Sequence, residues 1–199
     1  TTVWSARKII IAAPAFRAGE LLKSHDQSLA LELQEIPYAS CAVVCLAYDK
    51  KQFHRLPESF GFVVPPREQR SILAASFASN KFSSRAPDDQ LLVRVFLGGA
   101  SQSSILEHQD TKLAAIAAGE LKQVIGLDGS PQFHTVIRWP RSMPQYHVGH
   151  LERVERIDRQ VAQLKNIALV GNAYRGVGIP QCIDGAMQAA ESLCSEERA

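Results

Sequence analysis

Residues 167–183 read Ile-Ala-Leu-Val-Gly-Asn-Ala-Tyr-Arg-Gly-Val-Gly-Ile-Pro-Gln-Cys-Ile, and no other run constrains the fold as tightly. Ile167–Val170 has the composition of a short buried strand. Gly171, Gly176 and Gly178 punctuate the turn after it. Pro180 then stands where a helix begins, in the first-turn position that tolerates a missing N–H. A strand feeding a Gly-rich turn into a helix start gathers free backbone N–H groups and the positive end of a helix dipole at one spot. Glycine lets a planar or anionic ligand approach the backbone there. Such turns are common, so the run alone predicts an α/β unit with a ligand-accepting turn and does not name the ligand.

The rest of the chain alternates between the two periodicities. Residues 15–23 and 28–35 read as helices. Residues 110–125 carry Leu113, Ala117, Leu121 and Val124 at helical spacing, and 149–164 repeat it with Leu151, Val154, Val161 and Leu164. A last helix starts near Ile179, with Ile183, Met187, Ala190 and Leu193 on one side. Arg7–Ala13 reads as a strand entering the Pro14 turn. Residues 40–48, 60–64, 71–78 and 91–97 are apolar or alternating runs bounded by Pro, Arg and Gly–Gly, which is strand punctuation. Phe133–Trp139 reads as a strand ended by Pro140, and residues 80–90 as the clearest loop. The predicted fold class is mixed α and β.

Composition narrows the function by exclusion. Of the 199 residues 46% are apolar and 21% charged, enough for a sizeable core in a soluble protein. A net charge of +2 with scattered Lys and Arg argues against nucleic acid as a partner. No apolar stretch reaches membrane-spanning length, and TTVWSARKIII does not read as a signal peptide. Cys41, Cys45, Cys182 and Cys194 outline no disulfide framework, which predicts a reducing compartment. His147 and His150 have ligand-like spacing but no partner set of Cys or carboxylates, so no metal site is expected.

The residues LVGNAYRGVGIPQCI resemble the C-terminal flavin-contacting segment of the oxygen-dependent protoporphyrinogen oxidase family, a branch of the flavin amine oxidase superfamily. The resemblance continues through Ile9–Leu22, Ile36–Tyr48, Phe60–Pro65, Leu91–Ala100 and Met143–His150, in the family's order. It implies FAD as cofactor, a porphyrinogen as substrate and dioxygen as acceptor. It puts Gly176, Val177, Gly178 and Ile179 at the flavin ring, with Gly171 and Asn172 near the ribityl–pyrophosphate portion. It implies that Trp139 packs near the flavin. It assigns Val63, Ser76 and Phe96 to the wall of the tetrapyrrole pocket, although Val63 is smaller than the expected leucine and Ser76 is polar where the family is usually apolar. Arg94 is a candidate partner for a propionate. No side chain is assigned as catalytic, and Tyr146, His147 and His150 are read as surface or capping residues. A branched side chain at Gly178 is expected to stand in the ligand's space.

The family's Gly-x-Gly-x-x-Gly pyrophosphate fingerprint does not occur in this sequence. Its absence predicts that the chain is the C-terminal portion of a longer enzyme. The resemblance divides the chain into residues 1–35 and 141–199, both parts of an FAD-binding domain, and residues 36–140, a substrate-binding sheet domain. It further implies a cytoplasmic homodimer, peripheral on the inner face of the membrane through the part not in this chain. Asp184 followed by Gly185 and Ala186 departs from the usual Ser–Gly. Two other readings stay open. One is another amine-oxidase-type flavoenzyme acting on amines or carotenoids, against which Phe60–Pro65 and the MPQYHVGH run count. The other is a non-enzymatic relative that keeps the fold without the cofactor. The sequence does not separate protoporphyrinogen from coproporphyrinogen.

Overall fold

The computed structural model describes residues 2–195, with the side chain of Ser195 excepted. The elements run β1 (Ile9–Ile11), α1 (Ala15–Leu22), α2 (Gln27–Gln34), β2 (Tyr38–Asp49), β3 (Gly61–Val63), β4 (Ala74–Phe77), α3 (Ala78–Lys81), β5 (Gln90–Gly98), α4 (Asp110–Ile125), β6 (Phe133–Pro144), α5 (His150–Gln163), β7 (Ile167–Leu169) and α6 (Ile179–Ser195). The class is mixed α and β, as expected. The chain forms two compact units. One is continuous, Ala39–Met143, and the other joins the residues up to Tyr38 with those from Pro144 onward.

The continuous unit is built on a five-stranded sheet in the order β3-β4-β5-β2-β6. Its centre is the antiparallel pair β2 and β5, in register from Cys41 opposite Gly98 to Asp49 opposite Gln90. Side chains alternate across a strand, so Ala42, Val44, Leu46 and Tyr48 share one face with Leu91, Val93, Val95 and Leu97. That face packs on Leu113, Ala114, Ala117 and Leu121 of α4 to make the core. The fourth residue of the predicted stripe, Val124, is exposed; it lies in the last turn of α4, which ends at Gly126, whose φ of 61° stops the helix.

Two expectations fail here. Residues 71–78 pair as a strand only over Ala74–Phe77, and Ala78–Lys81 form a single helical turn that reaches into the start of the loop expected at 80–90. The strand over Phe133 does not end at Trp139 but passes through Pro140 to Pro144. β6 is an edge strand, and at an edge a missing N–H can face away from the ladder. The strand changes direction at Arg141, which has a φ of 45° and donates its N–H to Ser40 Oγ at 2.9 Å.

The discontinuous unit has its own core. Ala15, Ala18 and Leu22 of α1, Leu29 and Leu33 of α2 and Ile36 close on Val154 and Ile157 of α5 and on Ala173 and Tyr174. α2 starts cleanly because the Asp26 carboxylate accepts the Leu29 N–H at 2.9 Å. On α5 the predicted apolar face holds at Val154, which is in the core, and at Val161 and Leu164, which pack against it; Leu151 is exposed, and His150 and Ile157 are buried in addition. β1 and β7 form a parallel pair, Ile9 opposite Ile167 through Ile11 opposite Leu169. This pairing delivers the chain to the Gly-rich turn.

Candidate cofactor turn and substrate face

The turn leaves β7 at Val170, whose N–H donates to Ile11 O at 3.1 Å. Gly171 has a φ of 131°, and nothing lies within 4 Å of where its Cβ would stand. Ala173 and Tyr174 anchor the middle of the turn in the core. Gly176, at a φ of 153°, and Gly178 then lead into α6, whose first bond runs from Cys182 N–H to Gly178 O. The N–H groups of Val177, Gly178 and Ile179 have no hydrogen-bond partner among the described residues. The side chains of Val177 and Ile179 are exposed. Gln181 crowds both of these glycines. A Cβ at Gly178 would meet Gln181 Oε1 at 2.2 Å, and a Cβ at Gly176 would meet Gln181 Cβ and Cγ at 2.6 Å. At Gly176 the near atoms are the fixed base of the Gln181 side chain, so the lack of a side chain there serves the turn itself; at Gly178 the near atom is the far end of that flexible side chain.

Two residues read as surface or capping positions turn out to shape this turn. The Tyr146 hydroxyl donates to Asn172 O at 2.6 Å and accepts the Gly176 N–H at 3.0 Å. Its ring stacks on His150 at 3.9 Å and 12°. His150 is buried, and its Nε2 lies 2.9 Å from Tyr174 O. Burial raises the Tyr146 phenol above its ordinary pKa of 10, against the lowering effect of the Gly176 bond. The only local sign of this role is the Tyr-x-x-x-His spacing; the partners lie more than twenty residues away. A groove of about 260 Å³ adjoins the turn, lined by Gly171, Tyr174, Arg175, Gly176 and Gln181 and by Asp158, which pairs with Arg175. The Tyr174 hydroxyl has no partner among the described residues.

The other group of predicted residues lies on the continuous unit. Val63 pairs with Ala74, Ala74 with Phe96, and Phe96 with Val43. In the next row Gly61 pairs with Ser76, Ser76 with Arg94, and Arg94 with Cys45. Directly opposed residues share a face, so Val63, Ser76, Arg94 and Phe96 all stand on the side of the sheet turned away from α4. The Arg94 guanidinium lies 5.6 Å over the Phe96 ring. It has no carboxylate partner among the described residues. Val63 is 79% exposed, and the Ser76 hydroxyl reaches Phe60 O at 3.4 Å. Trp139 is half exposed on β6 of this same unit, whereas Gly171, Asn172 and Gly176–Ile179 belong to the discontinuous unit.

Among the described residues no cluster of His, Cys, Asp or Glu could hold a metal ion, and no helix is long and apolar enough to cross a membrane. The family model for flavin containing amine oxidoreductases matches residues 1–194. The chain belongs to that family. Among curated relatives, this flavin amine oxidoreductase is 32% identical over 156 residues to the coproporphyrinogen III oxidase of Staphylococcus aureus, covering 78% of this chain and 34% of the relative. It is 32% identical over 192 residues to the coproporphyrinogen III oxidase of Propionibacterium freudenreichii, covering 96% and 36%. It is 25% identical over 192 residues to the mitochondrial protoporphyrinogen oxidase of Nicotiana tabacum, covering 94% and 38%. Thus the chain spans a little over a third of the length of these relatives. A crystal structure from Exiguobacterium sp. 255-15, named "Putative protoporphyrinogen oxidase", superposes with a TM-score of 0.80 at 30% identity over 95% of this chain and 41% of that one. Cyclohexylamine oxidase from Brevibacterium oxydans shares the fold, with a TM-score of 0.67 at 15% identity over 98% and 44%.

Membership of this family implies FAD as the cofactor, and the turn fits one wall of its site. It offers unpartnered N–H groups at a helix start, open space at Gly171 and an orphaned Tyr174 hydroxyl beside the groove. The groove is smaller than the roughly 300–1,000 Å³ usual for a small-molecule site, so the turn supplies part of such a site and not all of it.

Proposed function

We propose that this chain belongs to an FAD-dependent oxidase that converts a porphyrinogen to the aromatic porphyrin in haem biosynthesis, with dioxygen as acceptor. The observation that carries the proposal is the match of nearly the whole chain to relatives that bear those names. Coproporphyrinogen is the favoured substrate: the matches named for it reach 30–32% identity, against 25–26% for those named for protoporphyrinogen. Bound FAD supplies the hydride acceptor that dioxygen restores. In this reading the backbone of Gly176–Ile179 lies along the ring. The N-terminal end of α6 there favours the negative charge of the reduced state by roughly 0.3–1 kcal/mol. Gly171 and Asn172 lie toward the ribityl–pyrophosphate portion, and Trp139 packs near the ring. Val63, Ser76 and Phe96 form a wall for the tetrapyrrole, where Phe96 offers a flat surface to one pyrrole ring. Arg94 beside it is placed to pair with a propionate carboxylate. Peripheral membrane attachment, a cytoplasmic location and a dimer belong to the same proposal; four free cysteines are consistent with the location.

The test uses the purified full-length natural protein. It should be yellow, and it should turn coproporphyrinogen III fluorescent under air faster than protoporphyrinogen IX, with hydrogen peroxide as co-product. A colourless protein, or a yellow one that oxidises amines and leaves both porphyrinogens untouched, would overturn the proposal.

A further inference from the structure

We infer that Tyr146 is a positioning residue for the cofactor, whose phenol holds the 172–176 segment in the shape that aims the Val177–Ile179 backbone at the flavin. The inference rests on the reading that this turn faces FAD.

The phenol oxygen is used twice, and in opposite senses. Its hydrogen goes to Asn172 O at 2.6 Å, while a lone pair takes the Gly176 N–H at 3.0 Å. A hydroxyl can do both at once; a plain ring can do neither. One atom therefore sets the distance between the two ends of a five-residue segment. His150 adds a third hold, because its Nε2 meets Tyr174 O at 2.9 Å while its ring supports the Tyr146 ring at 3.9 Å. Positions 172, 174 and 176 are thus gripped in alternation by a single stack of two rings. The stack is itself fixed: His150 is buried in the first turn of α5, behind Gly149.

What the grip controls is the next three residues. Val177, Gly178 and Ile179 keep their N–H groups unpartnered, and their direction follows from the conformation at Gly176, a position at a φ of 153°. Released from the phenol, Gly176 N–H and Asn172 O can turn to water and the backbone ahead of α6 is free to re-aim. The neutral phenol is required, since a phenolate cannot donate to Asn172 O, and burial of Tyr146 favours the neutral form.

The test compares Tyr146→Phe and His150→Gln with the parent in the full-length, flavin-loaded protein. The phenylalanine keeps the ring stack and loses both bonds. The glutamine keeps a donor for Tyr174 O and loses the supporting ring. Three quantities are read: hydrogen–deuterium exchange of segment 172–178, the FAD dissociation constant, and the midpoint potential of the bound flavin. The phenylalanine variant should exchange that segment at least about tenfold faster, bind FAD at least about tenfold more weakly and show a more negative potential. The glutamine variant should shift all three the same way by less. Unchanged exchange in 172–178 would overturn the inference whatever the cofactor does. Faster exchange with unchanged FAD affinity and potential would show a real clamp on a turn that does not face flavin, and would overturn the inference together with the reading beneath it. If the phenylalanine variant does not fold, the glutamine variant carries the test by the same outcomes.

Discussion

Gly176 and Gly178 stand two residues apart and answer to different constraints. Gly176 combines a φ of 153° with a space already filled by the Cβ and Cγ of Gln181, and the Cβ is fixed by the backbone of α6. Gly176→Ala should therefore distort the turn, at a cost of about 1–3 kcal/mol for a strained backbone position. In the full-length protein it should lower the flavin-to-protein ratio after gel filtration. At Gly178 the conflict is with Gln181 Oε1, the far end of a flexible side chain. Gly178→Ala should keep near-parental flavin content, and adding Gln181→Ala should remove whatever loss remains. On the sheet face, Phe96→Ala should weaken porphyrinogen binding by about 1–3 kcal/mol, by analogy with base–aromatic stacking. Phe96 is half-buried and faces away from α4, so the melting temperature should change little while KM rises. A lowered melting temperature with KM unchanged would make Phe96 a packing residue. At this scale alternation made part of the candidate substrate face legible, since it alone placed Arg94 and Phe96 together. The sequence could not show Tyr146 across the turn, because that contact exists only once the chain has doubled back, nor the Gln181 rotamer that the first turn of α6 lays beside the glycines.

Between elements, the clearest polar clasp joins α2 to α5. Arg156 gives Glu32 two bonds, at 2.7 and 3.1 Å, and Arg153 reaches Glu32 at 3.3 Å and Glu35 at 2.6 Å. The hydrogen bond from Arg156 outweighs burial and holds the Glu32 carboxyl below its ordinary value of 4.5. A carboxyl depressed in the folded state binds its proton more readily when unfolded. Its contribution is therefore present above pH 4.5 and is lost as the pH falls through the depressed native value. Glu32→Gln should cost about 1 kcal/mol near neutrality, since the pair is partly exposed to solvent. Urea midpoints measured from pH 7 to pH 3 should show the gap between parent and variant closing only below about pH 4.5. A gap independent of pH would mean that the clasp acts by packing. Helices were the most legible elements, because 3.6-residue spacing survives in isolation; α4 spans Asp110–Ile125 as read. The continuation of β6 through Pro140 was not legible, since a proline's effect depends on whether its strand lies at a sheet edge, and strand order is a property of the whole sheet.

For the molecule as a whole, apolar side chains remain on the surface. Ile179, Ile183 and Met187 stand exposed at four-residue spacing along α6, and Ile9 and Ile10 are nearly half exposed in β1. A parallel sheet is normally covered on both faces, and exposed apolar stripes promote association. The 199-residue chain on its own should therefore self-associate and hold FAD weakly. Light scattering after gel filtration should show Ile183→Lys with Met187→Lys shifting it toward monomer, and a monodisperse parent chain would contradict this. The chain order of the two units carries a further consequence, one of timing. α1 and α2 pack on each other, but the rest of their core lies on α5 and in the turn beyond β7, with the whole continuous unit in between. At a synthesis rate of roughly 5–20 residues per second, α1 and α2 leave the ribosome roughly 6–27 s before α5 does. During that interval the Ala39–Met143 sheet can close on itself, while Leu29, Leu33 and Ile36 lack the α5 side of their core. A chaperone that binds nascent chains should therefore be held longer by the segment up to Tyr38 than by Ala39–Met143, although the sheet unit is made after it.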